Sequence, residues 1–255
     1  MPPSLLTFYT EIEVLTMAEF WQGLCEDFSQ SFLVNDRWKQ YLIGLGVAGE
    51  VTLGALILGV VLGILVAVVR TLNDQKRPQE RSGVLKFFNF LCKVYTTIIR
   101  GTPMMVQLLI MGFVIFASSR ELVLVAILSF GINSGAYVSE IIRAGIMSVD
   151  RGQMEAGRSL GMGYAPVMRH IVIPQAIKNI LPSLGNELIT LFKETSIVTV
   201  IGLRDLTKVA IQIQAKTYQA FMPFIGIALM YLAVVLVLTW LLGILERRLR
   251  AGDKR

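Results

Sequence analysis

Long apolar runs separated by short polar segments make up most of this chain. The first run, 51–69, holds nineteen residues without a charge. At a rise of about 1.5 Å per residue, a helix of that length nearly crosses a hydrocarbon core of about 30 Å. Further uncharged runs occupy 101–119, 122–139 and 218–245. The pattern predicts an all-α integral membrane protein.

A fifth apolar stretch, 180–203, is interrupted by polar residues and by a proline. The interrupting residues are Pro182, Glu187, Lys193 and Glu194. This stretch is therefore predicted either to form a short, broken helix or to face a polar cavity. Counting it gives five transmembrane helices.

The charge pattern predicts an orientation. Residues 1–50 hold seven acids and two bases, whereas 70–100 holds seven bases and two acids. The segment 246–255 is again basic. Because cytoplasmic loops are enriched in Lys and Arg, we expect the N-terminus outside, the amphipathic stretch 203–217 outside, and the C-terminus inside.

The same pattern predicts three parts of the chain. These are an extracytoplasmic N-terminal segment (1–45), a transmembrane domain (46–245) and a cytoplasmic basic tail (246–255). The first part contains scattered aromatic residues, so it is either a short amphipathic helix at the membrane interface or a plain tether.

Composition supports a membrane protein and argues against nucleic acid as a partner. Hydrophobic residues make up 54% of the 255 residues, and the formal net charge is +6. The basic residues flank apolar runs instead of forming one patch, as expected beside membrane lipid. The Gly-rich stretch 44–49 formally matches a dinucleotide fingerprint, but no strand is predicted before it. Gly59 and Gly63 instead predict close packing of membrane helices.

A polar insert at 155–174 lies between apolar runs. The spacing predicts one short helix over 154–161, with Glu155 near its positive end and Gly161 as a left-handed stop. Pro166 fits the first turn of a second helix, which Pro174 is expected to end or kink.

The insert resembles the EAA loop of ABC importer permeases. The matching residues are Glu155-Ala156-Gly157, Gly161, Ile171 and Ile173-Pro174. The departures are Gly157, where Ala is usual, and Ile173, where Leu is usual. Gly157 is expected to loosen the helix by about 0.5–1 kcal/mol relative to Ala. The resemblance implies a coupling helix over 154–162 that docks on an ATPase subunit through Glu155, Ala156, Gly157, Leu160, Gly161 and Met162. An ordinary amphipathic loop is the alternative.

Other blocks resemble the polar amino-acid branch of these permeases, the histidine, glutamine and glutamate type. They are Arg100 to Pro103 with Gln107, Ser134 to Tyr137 with Glu140 and Arg143, Gly152-Gln153, Asn186-Glu187, and Lys193 to Ser196. The resemblance implies the type I ABC importer transmembrane fold in a bacterial cytoplasmic (inner) membrane. It also implies the partners: two ABC ATPase subunits, a second permease in a homodimer or heterodimer, an extracytoplasmic amino-acid-binding protein and an amino-acid substrate.

We expect no catalysis by this chain itself. It contains no G-x-x-x-x-G-K-[ST] motif, so ATP and Mg would belong to partner ATPase subunits, and we expect no cofactor here. His170 is the single histidine, so no multi-histidine metal site is predicted.

Candidate substrate-pathway residues lie in the interrupted apolar stretch. Glu187, Lys193 and Glu194 should line a cavity, since a mid-membrane charge costs about 2.5–3.5 kcal/mol or more without water or a partner. Such groups suit the carboxylate and ammonium of an amino acid. Alternatively, Lys193 and Glu194 pair with each other at a membrane surface. Thr195 and Ser196 either bind a carboxylate or satisfy backbone groups near a helix break.

A second candidate group lies on the 122–139 run. Asn133, Tyr137 and Glu140 recur at i, i+4 and i+7, which places them on one helical face. They are predicted to line the pathway with Gln107, or else to form hydrogen bonds between helices. Arg100 is interpreted as an anchor at the cytoplasmic end of its helix.

The leading hypothesis is therefore the permease subunit of an ATP-driven importer of polar amino acids. The first alternative is an ion-coupled secondary amino-acid carrier, suggested by charged residues in a broken helix. A membrane-embedded enzyme and a scaffold that only holds an ATPase are the remaining alternatives.

Overall fold

The computed structural model describes residue 17 and the ranges 19–76 and 79–251. Within these ranges the chain is helical and contains no strand. Residues 19–28 are helical with exposed Phe20 and Trp21, while residues 1–16 of the predicted N-terminal segment lie outside the described part. A π-turn (Ser29–Leu33) and a 3₁₀ turn (Val34–Asp36) follow. Asn35 and Asp36 both have φ of 54°, which breaks the helix.

Within the described ranges, nine α-helices follow this break. They are α1 (Arg37–Gln75), α2 (Gly83–Gly101), α3 (Met104–Ile110), α4 (Leu122–Met147), α5 (Arg151–Ser159), α6 (Tyr164–Val167), α7 (Ile173–Glu194), α8 (Leu206–Thr217) and α9 (Phe221–Ala251). The helical path of α3 continues through a π-turn, Met111–Ile115. Residues 252–255 of the predicted basic tail lie outside the described part.

The centre of the fold is the packing of α1 against α4. A Cβ on Gly59 would lie 2.8 Å from Ser134 Oγ, and one on Gly63 would lie 2.5 Å from Val138 Cγ1. Only glycine allows this approach, so the predicted G-x-x-x-G packing is confirmed. The stretch 44–49 lies inside α1, which confirms that the glycines there do not form a nucleotide-binding turn.

Three helical segments are long and apolar enough to cross a membrane. These are Glu19–Gln75, Leu122–Met147 and Phe221–Leu249. Helices Gly83–Gly101 and Met104–Ile115 are long and apolar enough only when they are taken together, and the angle between them is 106°. If this bent pair is one span, the described ranges contain at most four candidate spans. The predicted fifth span, α7, is not among these candidates.

The predicted span 101–119 is wrong in its bounds. Its helix occupies only Met104–Ile115, which at about 1.5 Å per residue gives roughly 18 Å. Pro103 lacks an N–H and pushes the preceding Thr102 to an extended conformation, with φ of −119° and ψ of 145°. The chain therefore bends between α2 and α3.

The apolar stretch 180–203, predicted to be broken or to face a polar cavity, changes from α-helix to 3₁₀ helix at Thr195. Helix α7 passes through Pro182 and ends at Glu194. A 3₁₀ helix, Thr195–Ile201, follows and stops at Gly202, whose φ is 89°. The predicted amphipathic stretch 203–217 contains α8, which Asp205 caps by accepting hydrogen bonds from the backbone N–H of Thr207 and Lys208.

Helix α9 packs on α7 and α8 but leaves most of its surface exposed. Only 6% of its most apolar stretch of 18 residues is buried. Phe32, Tyr41, Leu206, Ile213 and Ile227 form a separate apolar cluster with their neighbours where the N-terminal turns, α1, α8 and α9 meet. This helix packs near its start through Ile227 and further along through Leu242, which lies against Gly185, and leaves most of its apolar length uncovered.

Candidate functional site

Helix α5 begins three residues before the predicted start of the 154–161 helix. Asp150 is its N-cap, and the carboxylate accepts a hydrogen bond of 2.6 Å from the Gly152 N–H. Glu155 therefore lies in the second turn. Its predicted position near the positive end of the helix dipole is wrong, because Asp150 caps the helix earlier.

The end of α5 follows the prediction. Gly161 has φ of 82°, the left-handed conformation that favours glycine. The Met162 N–H donates to the Gly157 carbonyl at 3.2 Å, and the Gly161 N–H donates to the Arg158 carbonyl at 3.0 Å. This pair of bonds is the Schellman motif, which confirms the predicted stop.

Gly157 is buried and determines how α5 packs. A Cβ at this position would lie 2.8 Å from Val167 Cγ2 and 3.1 Å from Ile171 Cδ1. Glycine therefore lets α5 sit close to the following helical segment. Its departure from the usual alanine has a packing consequence beyond the predicted loosening of the helix.

The two prolines of this segment behave differently. Pro166 lies in the first turn of α6, as predicted. Of the two outcomes predicted for Pro174, ending the second helix is wrong, because the helical path continues past this residue. After α6 the chain passes through a π-turn, Met168–Val172, and Pro174 lies in the first turn of α7. The π-turn directly precedes the point where the missing N–H of Pro174 removes a helical hydrogen bond.

We call residues 150–172 the α5–α6 unit. Its inner side is an apolar cluster of Val167, Met168 and Val172, with Met154 and Met162 packed against it. Its outer side exposes Glu155, Ala156 and Gly161, and Leu160 is 82% exposed. Leu160 thus presents an apolar side chain to the surroundings from an ordered turn.

A cavity of about 470 Å³ lies between this unit and the adjoining ends of α1 and α4. Asp74, Arg143, Arg151, Glu155 and Tyr164 contribute to its lining. Partial burial raises the pKa of the Tyr164 phenol.

Polar side chains connect α4 to α3 and to α7. The Asn133 amide Nδ2 donates to Gln107 Oε1 at 2.9 Å, and Ser134 Oγ donates to Glu187 Oε1 at 2.7 Å. We call Gln107, Asn133, Ser134 and Glu187 the polar column. Glu187 is half-buried and forms no ion pair within the described ranges. Hydrogen bonding between helices, the stated alternative to a pathway role, accounts for the contacts of Asn133 and Gln107.

Gln107 also stabilises the bend between α2 and α3. Its Nε2 donates to the Ile99 carbonyl at 2.7 Å and to Thr102 Oγ1 at 2.7 Å. These carbonyl and hydroxyl groups belong to the end of α2, where the helix stops before Pro103. Gln107 therefore satisfies backbone groups that the bend would otherwise leave unpaired.

The predicted face of α4 continues from Asn133 to Tyr137 and Glu140. The Arg100 guanidinium lies over the Tyr137 ring, 5.4 Å from its centroid. Tyr137 is 39% exposed. The structure thus brings Gln107, Asn133 and Tyr137 to the side of α4 that meets α2 and α3.

Glu140 forms the centre of an ion-pair network that the sequence reasoning missed. Its carboxylate accepts hydrogen bonds from Arg70 and, at 2.8 Å, from Arg143 Nη2. Arg143 lies 3.9 Å from Asp74, and Arg100 lies 4.0 Å from Glu140. The signal in the sequence is the opposite charges that follow the uncharged runs 51–69 and 122–139.

The last predicted pathway residues lie at the end of α7, away from the column. Lys193 is exposed, Glu194 is half-buried, and no ion pair joins them in the described part of the chain. Thr195 Oγ1 donates to the Phe192 carbonyl at 2.7 Å, and Ser196 Oγ donates to the Lys193 carbonyl at 2.9 Å. The two hydroxyls thus satisfy the last turn of α7, the second of the stated alternatives.

Comparison with known proteins identifies similar chains. The model of the family "Binding-protein-dependent transport system inner membrane component" matches residues 59–251. The chain is 39% identical to the arginine transport system permease protein ArtQ of Bacillus subtilis over 215 residues, which cover 83% of this chain and 93% of the relative. It is 40% identical to a putative glutamine transport system permease protein GlnP of Rickettsia typhi over 199 residues, 76% of this chain and 86% of the relative.

Two solved structures are similar in fold. A crystal structure of an amino acid ABC transporter with histidines has a TM-score of 0.74 and 43% identity, and covers 82% of this chain and 94% of that chain. An inward-facing structure of the MetNI methionine ABC transporter has a TM-score of 0.68 and 17% identity. The likeness covers 86% of this chain and 99% of that chain. The second likeness concerns the fold alone.

Proposed function

The chain belongs to the family of binding-protein-dependent transport system inner membrane components, and on that premise we propose that it is the permease subunit of an ATP-driven importer of polar amino acids. Relatives of about 40% identity that are named for arginine and glutamine transport support the substrate class.

The observation that carries the proposal is the α5–α6 unit. Its inner side is packed, its helix is capped at both ends, and Leu160 is 82% exposed on its outer turn. A unit with this construction transmits force without deforming, because its packed side resists compression. We propose that its outer side docks on an ATPase subunit, with Glu155, Ala156, Leu160 and Gly161 at the contact, while Met162 supports that surface from the inner cluster. Gly157 acts from the inner side.

The assembly proposed for this chain contains a second permease, two ATPase subunits that hold ATP and Mg, and an external amino-acid-binding protein. We place the N-terminus outside and the C-terminus inside the bacterial cytoplasmic membrane. The α7 helix is counted as the fifth span of a transmembrane domain over 46–245. The basic segment 70–100 and the segment 246–255 support this orientation.

The substrate pathway is proposed to run beside the polar column and to extend to Tyr137, Lys193 and Glu194. Glu187 is suited to bind an ammonium group, since it has no cationic partner in the described ranges. Lys193 supplies a cation for a carboxylate. The bundle must alternate between an outward-open and an inward-open arrangement, each favoured by a different state of the ATPases.

The test is Leu160→Asp in the permease co-expressed with its ATPase. Because Leu160 is exposed, the substitution leaves the fold intact, and we expect co-purification and ATP-dependent uptake in proteoliposomes to fall at least about tenfold. Tyr218, just after α8, is 91% exposed, and Tyr218→Asp is the matched control. This variant should change neither co-purification nor ATP-dependent uptake.

Two outcomes contradict the proposal. Normal co-purification together with normal uptake by Leu160→Asp would remove the unit from the ATPase contact. Uptake by the purified chain alone, driven by an ion gradient, would favour the secondary carrier.

A further inference from the structure

Helix α2 has three distinct sides. Its inner side is buried at Asn89 and Thr96. Next to this side run three cations at seven-residue intervals, Lys86, Lys93 and Arg100, and the helix contains no acid. Beyond the cations lies an exposed apolar side, formed by Phe87, Phe90, Leu91, Val94 and Ile98. A helix with one apolar side bordered by cations is typical of helices that lie in a membrane interface.

The cations also indicate how α2 lies relative to the bilayer. Lys86 and Arg100 are about 21 Å apart along the helix, given a rise of about 1.5 Å per residue. If α2 crossed the membrane, at least one of the three cations would lie in hydrocarbon, which is unfavourable. The 106° bend to Met104–Ile115 allows α2 to lie along the surface while the following segment enters the bilayer.

A cleft of about 430 Å³ lies at the C-terminal half of this cationic side. Arg70, Lys93 and Arg100 line it together with a single acid, Glu140. The Glu140 carboxylate is already bonded to Arg70 and Arg143, which leaves an excess of positive charge. Arg70 Nε is buried without a hydrogen-bond partner in the described part of the chain. The cleft is therefore suited to an oxyanion.

We propose that α2 binds an anionic phospholipid, whose phosphate lies among Arg70, Lys93 and Arg100 and whose acyl chains lie along the apolar side. Charge complementarity supports the headgroup, and the adjacent aromatic and aliphatic side chains support the acyl chains. The proposal does not rest on the transport function, because it needs only a chain embedded in a membrane.

The test measures phosphatidylglycerol binding to the purified permease complex by native mass spectrometry in mild detergent. Near a membrane surface each Lys or Arg changes affinity for anionic lipid about fivefold. We expect Lys93→Gln to weaken binding about fivefold and the double variant K86Q/K93Q about 25-fold. The charge-preserving K86R/K93R should bind like wild type. Lys216→Gln, an exposed lysine at the end of α8, is the matched control and should bind normally.

Two further arms separate the possible occupants. Phosphatidylcholine should bind much more weakly than phosphatidylglycerol, and inorganic phosphate should not displace the lipid at millimolar concentration. Displacement by phosphate would show a small-anion site and overturn the lipid assignment. A photoactivatable phosphatidylglycerol should label α2 in the assembled complex. Absence of that label, or equal binding by K86Q/K93Q and wild type, would equally overturn the proposal.

Discussion

The α5–α6 unit is built from contacts between residues close in the sequence, whereas the polar column joins residues far apart. Gly157 packs on Val167, ten positions later, and the turn at Gly161 closes within one helix end. Ser134 donates a hydrogen bond to Glu187, 53 positions later, and Asn133 donates one to Gln107, 26 positions earlier. The unit can therefore keep its shape while the bundle changes. The column changes whenever α4 moves relative to α3 or α7.

The ion-pair network at the end of α4 also joins residues that are far apart in the sequence. Breaking it should lower the stability of the chain more than any other change considered below. Glu140→Gln keeps the side-chain size but leaves Arg70, whose side chain is 15% exposed, without its anion and Arg143 with only the more distant Asp74. Breaking such a pair costs about 3 kcal/mol or more. We expect a clear loss of stability in a denaturant titration of the purified chain in mild detergent.

Asp36→Asn provides the matched control for this change. It removes an ion pair with Lys39 at 2.7 Å whose side chains are 62% and 55% exposed. Surface pairs contribute little, so the unfolding midpoint should not move. Equal midpoints for Glu140→Gln and wild type would contradict the structural role of the network.

A substitution inside the α5–α6 unit should destabilise the chain to an intermediate degree, and the loss of stability should be confined to that unit. Gly157→Val places atoms against Val167, and overpacking of this kind costs about 1–3 kcal/mol. We expect α5 to detach from α6, which would raise trypsin cleavage after Arg158 by about tenfold, since cleavage follows the population of the open form. Global unfolding of the bundle should change little.

Gly46→Val is the control for this second change. No atom lies within 4 Å of a Cβ built on Gly46. Cleavage after Arg158 should therefore match wild type. If Gly157→Val lowered the global unfolding midpoint as much as Glu140→Gln, the unit would not be independent of the bundle.

The smallest expected effect is the coupling between Ser134 and Glu187. Polar pairs between membrane helices contribute about 0.6 kcal/mol on average and at most about 1.7 kcal/mol. A double-mutant cycle with Ser134→Ala and Glu187→Ala, each of which removes the hydrogen bond, should give a coupling energy in that range. Ser134→Ala paired with Asp36→Asn should give none, since the two sites share no partner. A zero value for the first cycle would mean that the column does not join α4 to α7.

The two regions also differ in how far the sequence predicts them. Pro166 and Gly161 carry local backbone preferences, so the turn after α5 follows from the residues themselves. The start of α5 was misplaced because Asp150, a residue just outside the matched motif, supplies the cap. The G-x-x-x-G pair in α1 predicted close packing but not its partner, because α4 is far along the chain.

Long-range polar contacts were the least predictable part. Arg70 and Glu140 are separated by 70 positions, and only the packing of α1 on α4 brings them together. The polar face of α4 was predicted from spacing, yet its partners Gln107 and Arg100 depend on the bend at Pro103. The apolar run 101–119 gave no sign of that bend beyond the proline, which is why its bounds were wrong.

The passage of the chain from α6 through the π-turn into α7 has a mechanical consequence. No break separates Tyr164 from Glu194, so roughly 30 residues form one continuous lever of about 45 Å. The unit holds one end, and Glu187 and Glu194 lie toward the other. A rotation of about 5° about the first end would carry Glu194 sideways by roughly 4 Å, more than the length of a hydrogen bond. Pro182, near the middle, limits the stiffness of this lever.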